Sequence, residues 1–366
     1  MDCWRSPGKL YTTAIPQAAI HEFLKEFSGT PSELLADIQK ARTDKRDYGA
    51  NDFTVFRKKP LIKLAYGYLP ADVIFAIEKL ESGPYWRVND IDAETGNKLR
   101  RFWGAVFENY VNDLFKAGIE GLSGTTFIPD PRLIDNPNEQ LCDGLLVEGD
   151  ALVVMEYKSS MFTARAKYSG DHVRLRDEIS KKLVRDSAEK KKKGVEQLAA
   201  AIEALFADPK KQVVQGLDVS GIKRVYPLLI TLDEVGSSLL ISRMLNFPFD
   251  AVLKRDTVTG ADVKPLLCTD IESIEVVLPY LSMKTLSGIL QQWLDNDPKL
   301  LQSLLARFPD GLPARRNAFL DKEWKELYKG ISARLFPKET DEKNFDDKHA
   351  QLIELDKSSA RSKSVS

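Results

Sequence analysis

The sequence predicts an α/β protein in which helices flank a mixed β-sheet core and helical extensions lie at both ends. Apolar residues spaced by three and four recur near both ends of the chain, which is typical of amphipathic helices. The middle of the chain alternates helical stripes with short apolar runs that turn residues bound. An order of helix, strands, helix, strand and helix favours helices packed against a mixed sheet.

A helical N-terminal module is predicted over residues 1–95. Helical spacing predicts three helices, over residues 16–27, 32–42 and 70–80. The third should stop at Ser82-Gly83-Pro84, because glycine and proline interrupt helices. A turn-like segment, residues 92–97, marks the boundary to the next region.

The α/β core is predicted over residues 96–281. It opens with a helix whose broad apolar stripe ends at Gly118. Strands are expected over residues 125–128, 140–147, 151–157, 224–232 and 263–268, and later helices over residues 171–207, 236–245 and 271–281. Glu148-Gly149-Asp150 predicts a tight hairpin between the second and third strands. Pro227 is expected near the start of its strand or at a sheet edge, because proline cannot donate a ladder hydrogen bond.

A helical C-terminal extension is predicted over residues 282–337. Its helices are expected over residues 284–294, 298–307 and 320–335, with Asp297 as the N-cap of the second. Residues 338–366 are charged and serine-rich, so this tail is predicted to be disordered.

Composition removes several classes of function. The 366 residues carry 53 Lys and Arg against 54 Asp and Glu, and only three cysteines and three histidines, all far apart. Such spacing excludes a CxxC zinc site, gives no disulfide framework, argues against zinc hydrolases and weakens any Ser-His-Asp proposal. The absence of a GxxxxGK[ST] loop argues against ATP-driven activity. The chain has no apolar run of membrane-spanning length and no apolar signal segment at its start, so we expect a cytoplasmic protein without a membrane partner.

The hairpin is predicted to bring two carboxylates and one ammonium group together. Asp143 precedes the first strand of the hairpin, and Glu156 and Lys158 end the second. Strand side chains alternate between faces, so Glu156 and Lys158 project to the same side, and the nearly equal arms of the hairpin return Asp143 toward Glu156.

Such a cluster suits phosphodiester hydrolysis assisted by a divalent metal ion. Mg²⁺ prefers hard oxygen ligands and keeps several of its waters, so two carboxylates and a carbonyl are a sufficient protein contribution. The metal would polarise a phosphoryl oxygen and lower the pKa of a bound water. Lys158 would hold or deprotonate the attacking water and offset the charge of the transition state.

The pattern of Asp143, twelve residues, Glu156, one residue and Lys158 resembles the motif of the PD-(D/E)XK nuclease superfamily, the restriction-endonuclease-like fold. The resemblance covers about residues 98–245. It implies a helix before the first strand, often with an acidic residue, and Glu108 is offered there. It also implies a helix after the Glu-x-Lys strand, often with a glutamine, where Gln197 is offered, and then a further strand. Cys142 stands where many members have proline.

The resemblance implies a Mg²⁺-dependent nuclease, with Mn²⁺ as a substitute. Glu108, Asp143 and Glu156 would hold one or two metal ions, Lys158 would be the catalytic lysine, and Gln197 would support it. DNA is the favoured substrate because most similar families cut DNA, and the flanking modules are similar to those of bacterial restriction or anti-phage nucleases. A homodimer or a protein partner could assemble through the helical extensions.

A basic stretch follows the Glu-x-Lys strand in an otherwise neutral chain and could contact the phosphates of a nucleic acid. Its candidate binding residues are Lys181, Lys182, Arg185, Lys190 and Lys191. The alternative is a solvated helix face.

Other interpretations of the core residues also stay open. Asp143 could be a turn residue, Glu156 and Lys158 a surface strand pair, Glu108 a boundary residue of its helix and Gln197 an exposed helix former. At the level of function, the alternatives are a catalytically inactive nuclease-like module that binds nucleic acid or a protein partner, and a transposase- or resolvase-like enzyme.

Overall fold

The computed structural model describes residues 16–44, 53–133, 136–168, 170–186, 191–207, 213–214, 217–218, 220–307 and 315–335. Helices and open mixed sheets alternate along these residues, which confirms the predicted α/β class. The predicted tail, residues 338–366, lies outside the described residues. Within them, no helix has the length and apolar character needed to cross a membrane.

The described helices include twelve α-helices. Their bounds are α1 Gln17–Phe27, α2 Pro31–Asp44, α3 Thr54–Lys58, α4 Val73–Asn89, α5 Ala93–Ile119, α6 Ala164–Tyr168, α7 His172–Ile179, α8 Gly194–Phe206, α9 Ile241–Val252, α10 Ile271–Val277, α11 Leu286–Asn296 and α12 Ala318–Leu335. Short 3-10 turns occupy Glu234–Ser237, Arg255–Thr257, Leu278–Tyr280 and Leu305–Arg307, and a π-turn occupies Ser180–Val184.

The described strands fall into one large sheet, one small sheet and two short ribbons. Their bounds are β1 Ser28–Gly29, β2 Leu61–Leu64, β3 Gly67–Pro70, β4 Thr125–Pro129, β5 Gly144–Glu148, β6 Ala151–Lys158, β7 Arg185–Asp186, β8 Lys191–Lys192, β9 Val213–Val214, β10 Leu217–Asp218, β11 Arg224–Thr231, β12 Asp262–Val263 and β13 Leu267–Asp270.

By contacts between residues, the chain divides into two compact units. Of the described residues, the smaller unit comprises 16–38, 55–76 and 320–335, and its sheet has the order β1-β2-β3. The larger unit comprises the described residues within 39–54 and 77–319 and holds the large sheet. The predicted divisions of the chain after residues 95, 281 and 337 stay predictions.

The large sheet has the strand order β12-β11-β6-β5-β4, and β13 also pairs with β11. Strands β4, β5 and β6 are antiparallel neighbours, whereas β11 runs parallel to β6, β12 and β13. Mixed pairing of this kind places the carboxyl ends of β6 and β11 at the same edge, where Lys158 pairs with Thr231.

Helices cover both faces of this sheet. Leu152 and Val154 of β6 lie in one core cluster with the buried face of α8. Val153 and Met155 lie in a second cluster, together with buried residues of α5 and α11. Because β6 is buried on both faces, its sequence is a continuous apolar run that ends at Glu156.

The single long helix predicted over residues 171–207 is wrong. The described chain forms α7, the π-turn, the short β7-β8 ribbon and then α8. The chain reverses because Arg185↔Lys192 and Asp186↔Lys191 pair across the ribbon and the Arg185 guanidinium contacts Glu196 of α8 at 2.6 Å. These tertiary contacts override the helical propensity of a lysine-rich stretch.

The helix predicted over residues 298–307 is also wrong. Among residues 298–307 the structure has only the 3-10 turn at Leu305–Arg307. The Asp297 carboxylate is buried and accepts a hydrogen bond from the Gln302 N–H at 2.7 Å, which holds a loop instead of starting a helix.

Two proline expectations need correction. Helix α4 continues through Pro84 to Asn89, with Tyr85 buried against Trp103 at a ring separation of 5.9 Å, so packing sustains the helix beyond the proline. Pro227 is the fourth residue of β11 and pairs with Val154, inside the sheet. On its other side β12 ends and β13 has not begun, and this interruption accommodates a residue that cannot donate a ladder hydrogen bond.

Candidate functional site

The β5-β6 hairpin places Asp143 opposite Glu156. Gly144, the first residue of β5, pairs with Met155, so Asp143 lies one position before the start of β5. The Asp143 N–H donates to the Met155 carbonyl at 3.1 Å. Gly149 has a φ of 61° in the turn, a backbone conformation that glycine adopts without strain. The hairpin register that the sequence predicts therefore holds at the position of the two carboxylates.

The Asp143 carboxylate is fixed by two hydrogen bonds. Its Oδ2 accepts from the Tyr157 N–H at 2.5 Å, and its Oδ1 accepts from the Gln140 amide at 3.1 Å. The same amide nitrogen lies 3.5 Å from Oε1 of Glu108 on α5. Gln140 thus links the helix carboxylate to the strand carboxylate.

Glu156 and Lys158 form a buried ion pair on the face of β6 that α8 covers. Lys158 Nζ lies 2.6 Å from Glu156 Oε1, and the side chains are 15% and 3% exposed. The aliphatic part of Lys158 packs against Gly194, the first residue of α8: a Cβ added at Gly194 would lie 3.2 Å from Lys158 Cε. Gln197 lies one turn later, on the same face of α8 as Gly194.

Burial raises the pKa values of all three carboxyl groups, and neighbouring carboxylates add to the effect. Desolvation raises the pKa of Glu156 to about 7, against the opposing effect of Lys158. The pKa of Asp143 is raised by burial, and the pKa of Glu108 is raised by burial and by the charge of Asp143. Carboxyl groups with this shift favour a proton or a cation as partner.

The oxygen donors match Mg²⁺ in chemistry but do not yet form a complete site. Carboxylate oxygens are the ligands that Mg²⁺ prefers, and the cluster has one ammonium group for three acidic side chains. However, no group of three or more His, Cys, Asp or Glu residues among the described ones is arranged to hold a metal ion. Metal binding would require the Glu156 carboxylate to share its contact with Lys158.

Comparisons with protein-family models, with curated proteins and with solved structures find no match to this chain. The assignment of the site therefore depends on the geometry and chemistry of its residues.

The basic residues predicted to bind nucleic acid lie in different environments. Lys181 is exposed, whereas Lys182 forms an ion pair with Glu178 and donates to the Met161 carbonyl at 2.7 Å. Arg185 is paired with Glu196, and Lys191 is an exposed residue of the ribbon that leads into α8. Lys190 lies outside the described residues.

Two residues near the carboxylates were missed in the sequence. Gln140 makes the link described above, and Asp130 raises the pKa values of Glu108 and Asp143 by its charge. Asp130 directly follows β4, and its N–H donates to the Asp143 carbonyl at 3.1 Å. A polar residue at the end of the strand beside Asp143 was the signal that could have identified Asp130.

A third missed feature is a buried pair beside the end of β6. The Asp233 carboxylate accepts hydrogen bonds from the N–H groups of Phe162 at 2.8 Å and Val235 at 3.1 Å, and Lys167 Nζ lies 3.3 Å away. The Leu232 N–H donates to the Lys158 carbonyl at 2.9 Å. The segments that follow Lys158 and β11 are therefore tied together.

Proposed function

We propose that this protein is a divalent-metal-dependent nuclease that hydrolyses phosphodiester bonds. The observation that carries the proposal is the cluster of Glu108, Asp143 and Glu156 around Lys158, where the buried Glu156 and the partly buried Asp143 and Glu108 have raised pKa values. Placing these groups together at the end of an apolar strand costs folding free energy, which favours a functional reason for keeping them.

The order of elements supports a restriction-endonuclease-like core within this proposal. Helix α5 with Glu108 precedes β4, β5 and β6, and α8 with Gln197 and then β11 follow. This is the order that the resemblance implies. Helices α6 and α7 and the β7-β8 ribbon are inserted between β6 and α8.

In this proposal, Asp143 and Glu156 would hold Mg²⁺, with Glu108 as a further ligand, and the bound ion would supply polarisation of a phosphoryl oxygen and a more acidic water. The Tyr157 N–H and the Gln140 amide orient Asp143. Lys158 exchanges part of its contact with Glu156 for the attacking water and the phosphoryl oxygens, where it offsets the developing charge. Gln197 supports the lysine from α8.

DNA is the proposed substrate, and restriction or anti-phage defence is the proposed role, both on the basis of the resemblance. The ribbon residue Lys192 is exposed, and the neighbouring Lys193 directly precedes Gly194, against which the Lys158 stem lies. Lysines beside the reacting groups would neutralise substrate phosphates.

The proposal is tested with purified protein on labelled DNA and RNA. Cleavage should require Mg²⁺ or Mn²⁺, stop with EDTA and be poorly supported by Ca²⁺, which takes more ligands at longer distances. Asp143→Asn and Glu156→Gln should lose metal binding and cleavage together. Lys158→Ala should keep metal and substrate binding and lose turnover, because the lysine acts mainly in the transition state. Lys223→Ala, an exposed lysine on the loop before β11, is the matched control.

If Lys158→Ala cuts as fast as the parent, the nuclease proposal is wrong. The second candidate is then an inactive module that binds nucleic acid or a protein partner. The direct ion pair between Glu156 and Lys158, together with the lack of a ready group of three metal donors among the described residues, favours this candidate. Mn²⁺ titration followed by electron paramagnetic resonance separates the two, since an inactive module need not bind the ion.

A further inference from the structure

A contiguous apolar surface lies on the outer side of α9. We call it the α9 patch and define it by Leu239, Leu240, Met244 and Phe247. Leu239 is 71% exposed and Phe247 is 66% exposed. Met244 and Phe247 are three positions apart and share one face of α9, and Leu239 and Leu240 directly precede the helix. Single exposed apolar residues are ordinary, but a group of them is typical of a binding surface.

A shallow pocket adjoins the α9 patch. Its apolar walls are formed by Phe247, Pro265, Pro298 and Leu300, and two cations, Arg243 and Lys299, stand at its sides. The Arg243 guanidinium lies 5.9 Å from the centre of the Phe247 ring. A side chain that enters the pocket would therefore contact apolar groups and lie beside positive charge.

Hydrogen bonds to its neighbours fix α9 in place. Ser242 Oγ accepts from the Cys268 N–H at 3.0 Å, and Asn246 Oδ1 accepts from the Leu266 N–H at 2.9 Å. The Leu240 N–H donates to the Leu301 carbonyl at 3.1 Å, which joins the start of α9 to the loop that carries the pocket. A surface held in this way loses little conformational entropy on binding.

The charge of the pocket is uncompensated within the described part of the chain. Neither Arg243 nor Lys299 forms an ion pair there. The nearest carboxylate along α9, Asp250, is paired with Arg255 at 2.6 Å. Two cations without acidic partners beside an apolar pocket are complementary to a ligand that carries both a carboxylate and an apolar group.

We propose that the α9 patch docks an acidic peptide segment of a protein partner. An aromatic or branched aliphatic side chain of the segment occupies the pocket, and a neighbouring Asp or Glu pairs with Arg243 and Lys299. Leucine and methionine surfaces adapt to peptide side chains, whereas nucleic-acid platforms rely on several stacked aromatic rings and a track of cations. A second copy of this chain would bring the same two cations together across a symmetric interface. The proposal is independent of the nuclease assignment.

The test selects a displayed library of random 12-residue peptides on the immobilised full chain. Enriched peptides should share an Asp or Glu within two or three positions of an aromatic or branched aliphatic residue. A fluorescent synthetic copy of the best peptide is then titrated by anisotropy. Phe247→Ser and Arg243→Glu should each weaken binding at least about tenfold, as expected for central contacts in an interface. Val276→Ser and Lys223→Glu, which change exposed residues away from the α9 patch, should leave binding unchanged.

A charge exchange makes the test specific. Replacing the acidic residue of the peptide with lysine should abolish binding to the parent and restore binding to Arg243→Glu. Circular dichroism checks that each variant is folded. If Phe247→Ser does not fold, the result for Arg243→Glu decides the test. The proposal is overturned if no peptide is enriched, if enriched peptides lack acidic residues or if both variants bind as the parent does. It is also overturned if light scattering finds a dimer that Phe247→Ser abolishes, or if a DNA duplex binds the patch and peptides do not.

Discussion

At the residue scale, the close contact between Gly144 and Tyr157 leaves no room for a methyl group at position 144. A Cβ added at Gly144 would lie 2.5 Å from the Tyr157 hydroxyl oxygen and 3.0 Å from the Phe127 ring. The Tyr157 hydroxyl is buried and has no hydrogen-bond partner among the described residues. Gly144 is therefore required because the Tyr157 side chain packs directly against it. The hydroxyl that occupies this space forms no hydrogen bond with the described residues and so contributes little to stability.

We expect Gly144→Ala to lower the free energy of unfolding by about 1–3 kcal/mol, the usual cost of overpacking a core. Tyr157→Phe should be close to neutral, because it removes an unpaired buried hydroxyl. In the double variant, the alanine should cost less than it does alone, since the atom it collides with is gone. Urea unfolding of the four proteins measures this coupling, and strictly additive effects would contradict the assigned contact.

The second residue-scale prediction concerns Glu156 and pH. Its pKa in the folded protein is raised from 4.5 to about 7. The folded protein therefore holds the proton more tightly than the unfolded chain, so this group lowers stability as pH rises from 4.5 to 7. The effect is at most about 3 kcal/mol, because one pKa unit corresponds to about 1.4 kcal/mol.

Glu156→Gln removes this titration. We expect the variant to gain stability relative to the parent as pH increases from 5 to 8, measured by urea unfolding at each pH. Mg²⁺ should stabilise the parent at pH 8 more than at pH 5 if the carboxylate binds the ion, and should not stabilise the variant. A parent and a variant with parallel pH profiles would show that Glu156 keeps an ordinary pKa.

At the element scale, the segment after β6 is held by the buried carboxylate of Asp233. Its side chain is 1% exposed, and it joins the Phe162 N–H and Lys167 to the turn that follows β11. Breaking a buried pair leaves the remaining charge without compensation. We expect Asp233→Ala to lower the free energy of unfolding by about 3–5 kcal/mol.

The matched control is Asp250→Ala, which breaks a half-exposed pair with Arg255 and should cost no more than about 1 kcal/mol. Chemical denaturation of both variants gives the comparison. Equal losses would mean that Asp233 does not act as the shared anchor. Asp233→Ala and Lys167→Met together should cost less than the sum of the two single changes, because the second removes the charge that the first leaves unpaired.

Local signals in the sequence predict the elements that carry the site. The β5-β6 hairpin is predictable because Glu148-Gly149-Asp150 defines the turn between two apolar runs, and the alternation of strand side chains then assigns Glu156 and Lys158 to one face. The break between α7 and α8 is not predictable, because it depends on the pairing of Arg185 with Glu196. Gln140 and Asp130 were missed because neither belongs to the sequence motif, and their interactions with Asp143 depend on the folded structure.

At the scale of the whole molecule, α11 belongs physically to the sheet that carries the site. Its side chains Leu286, Ile289, Leu290 and Trp293 are buried in the core cluster that contains Val153 and Met155. The Glu148 carboxylate, at the end of β5, accepts hydrogen bonds from the first N–H groups of α11 at 2.9 and 2.7 Å. Helix propensity alone does not reveal this attachment, because it depends on contacts between residues more than a hundred positions apart.

A chain that ends at Met283 tests this attachment. The four buried apolar side chains of α11 named above are among those it loses, and they are worth about 1.5–3 kcal/mol each, or about 6–12 kcal/mol together. That is comparable to the whole stability of a typical domain, about 5–15 kcal/mol. It also leaves the Glu148 carboxylate buried without its hydrogen-bond donors. We expect no cooperative thermal transition from this chain.

The control chain ends at Pro337 and lacks only the tail, whose composition offers few apolar residues to compensate the entropy of ordering. Its melting temperature should match that of the full chain within about 2 °C, which corresponds to about 1 kcal/mol for a protein of this size. Glu148→Ala in the full chain should lower the melting temperature but keep a cooperative transition, because it frees the start of α11 without removing the buried helix. If the chain ending at Met283 melts as the parent does, residues 282–337 are a separable extension, as their helical sequence pattern alone predicts.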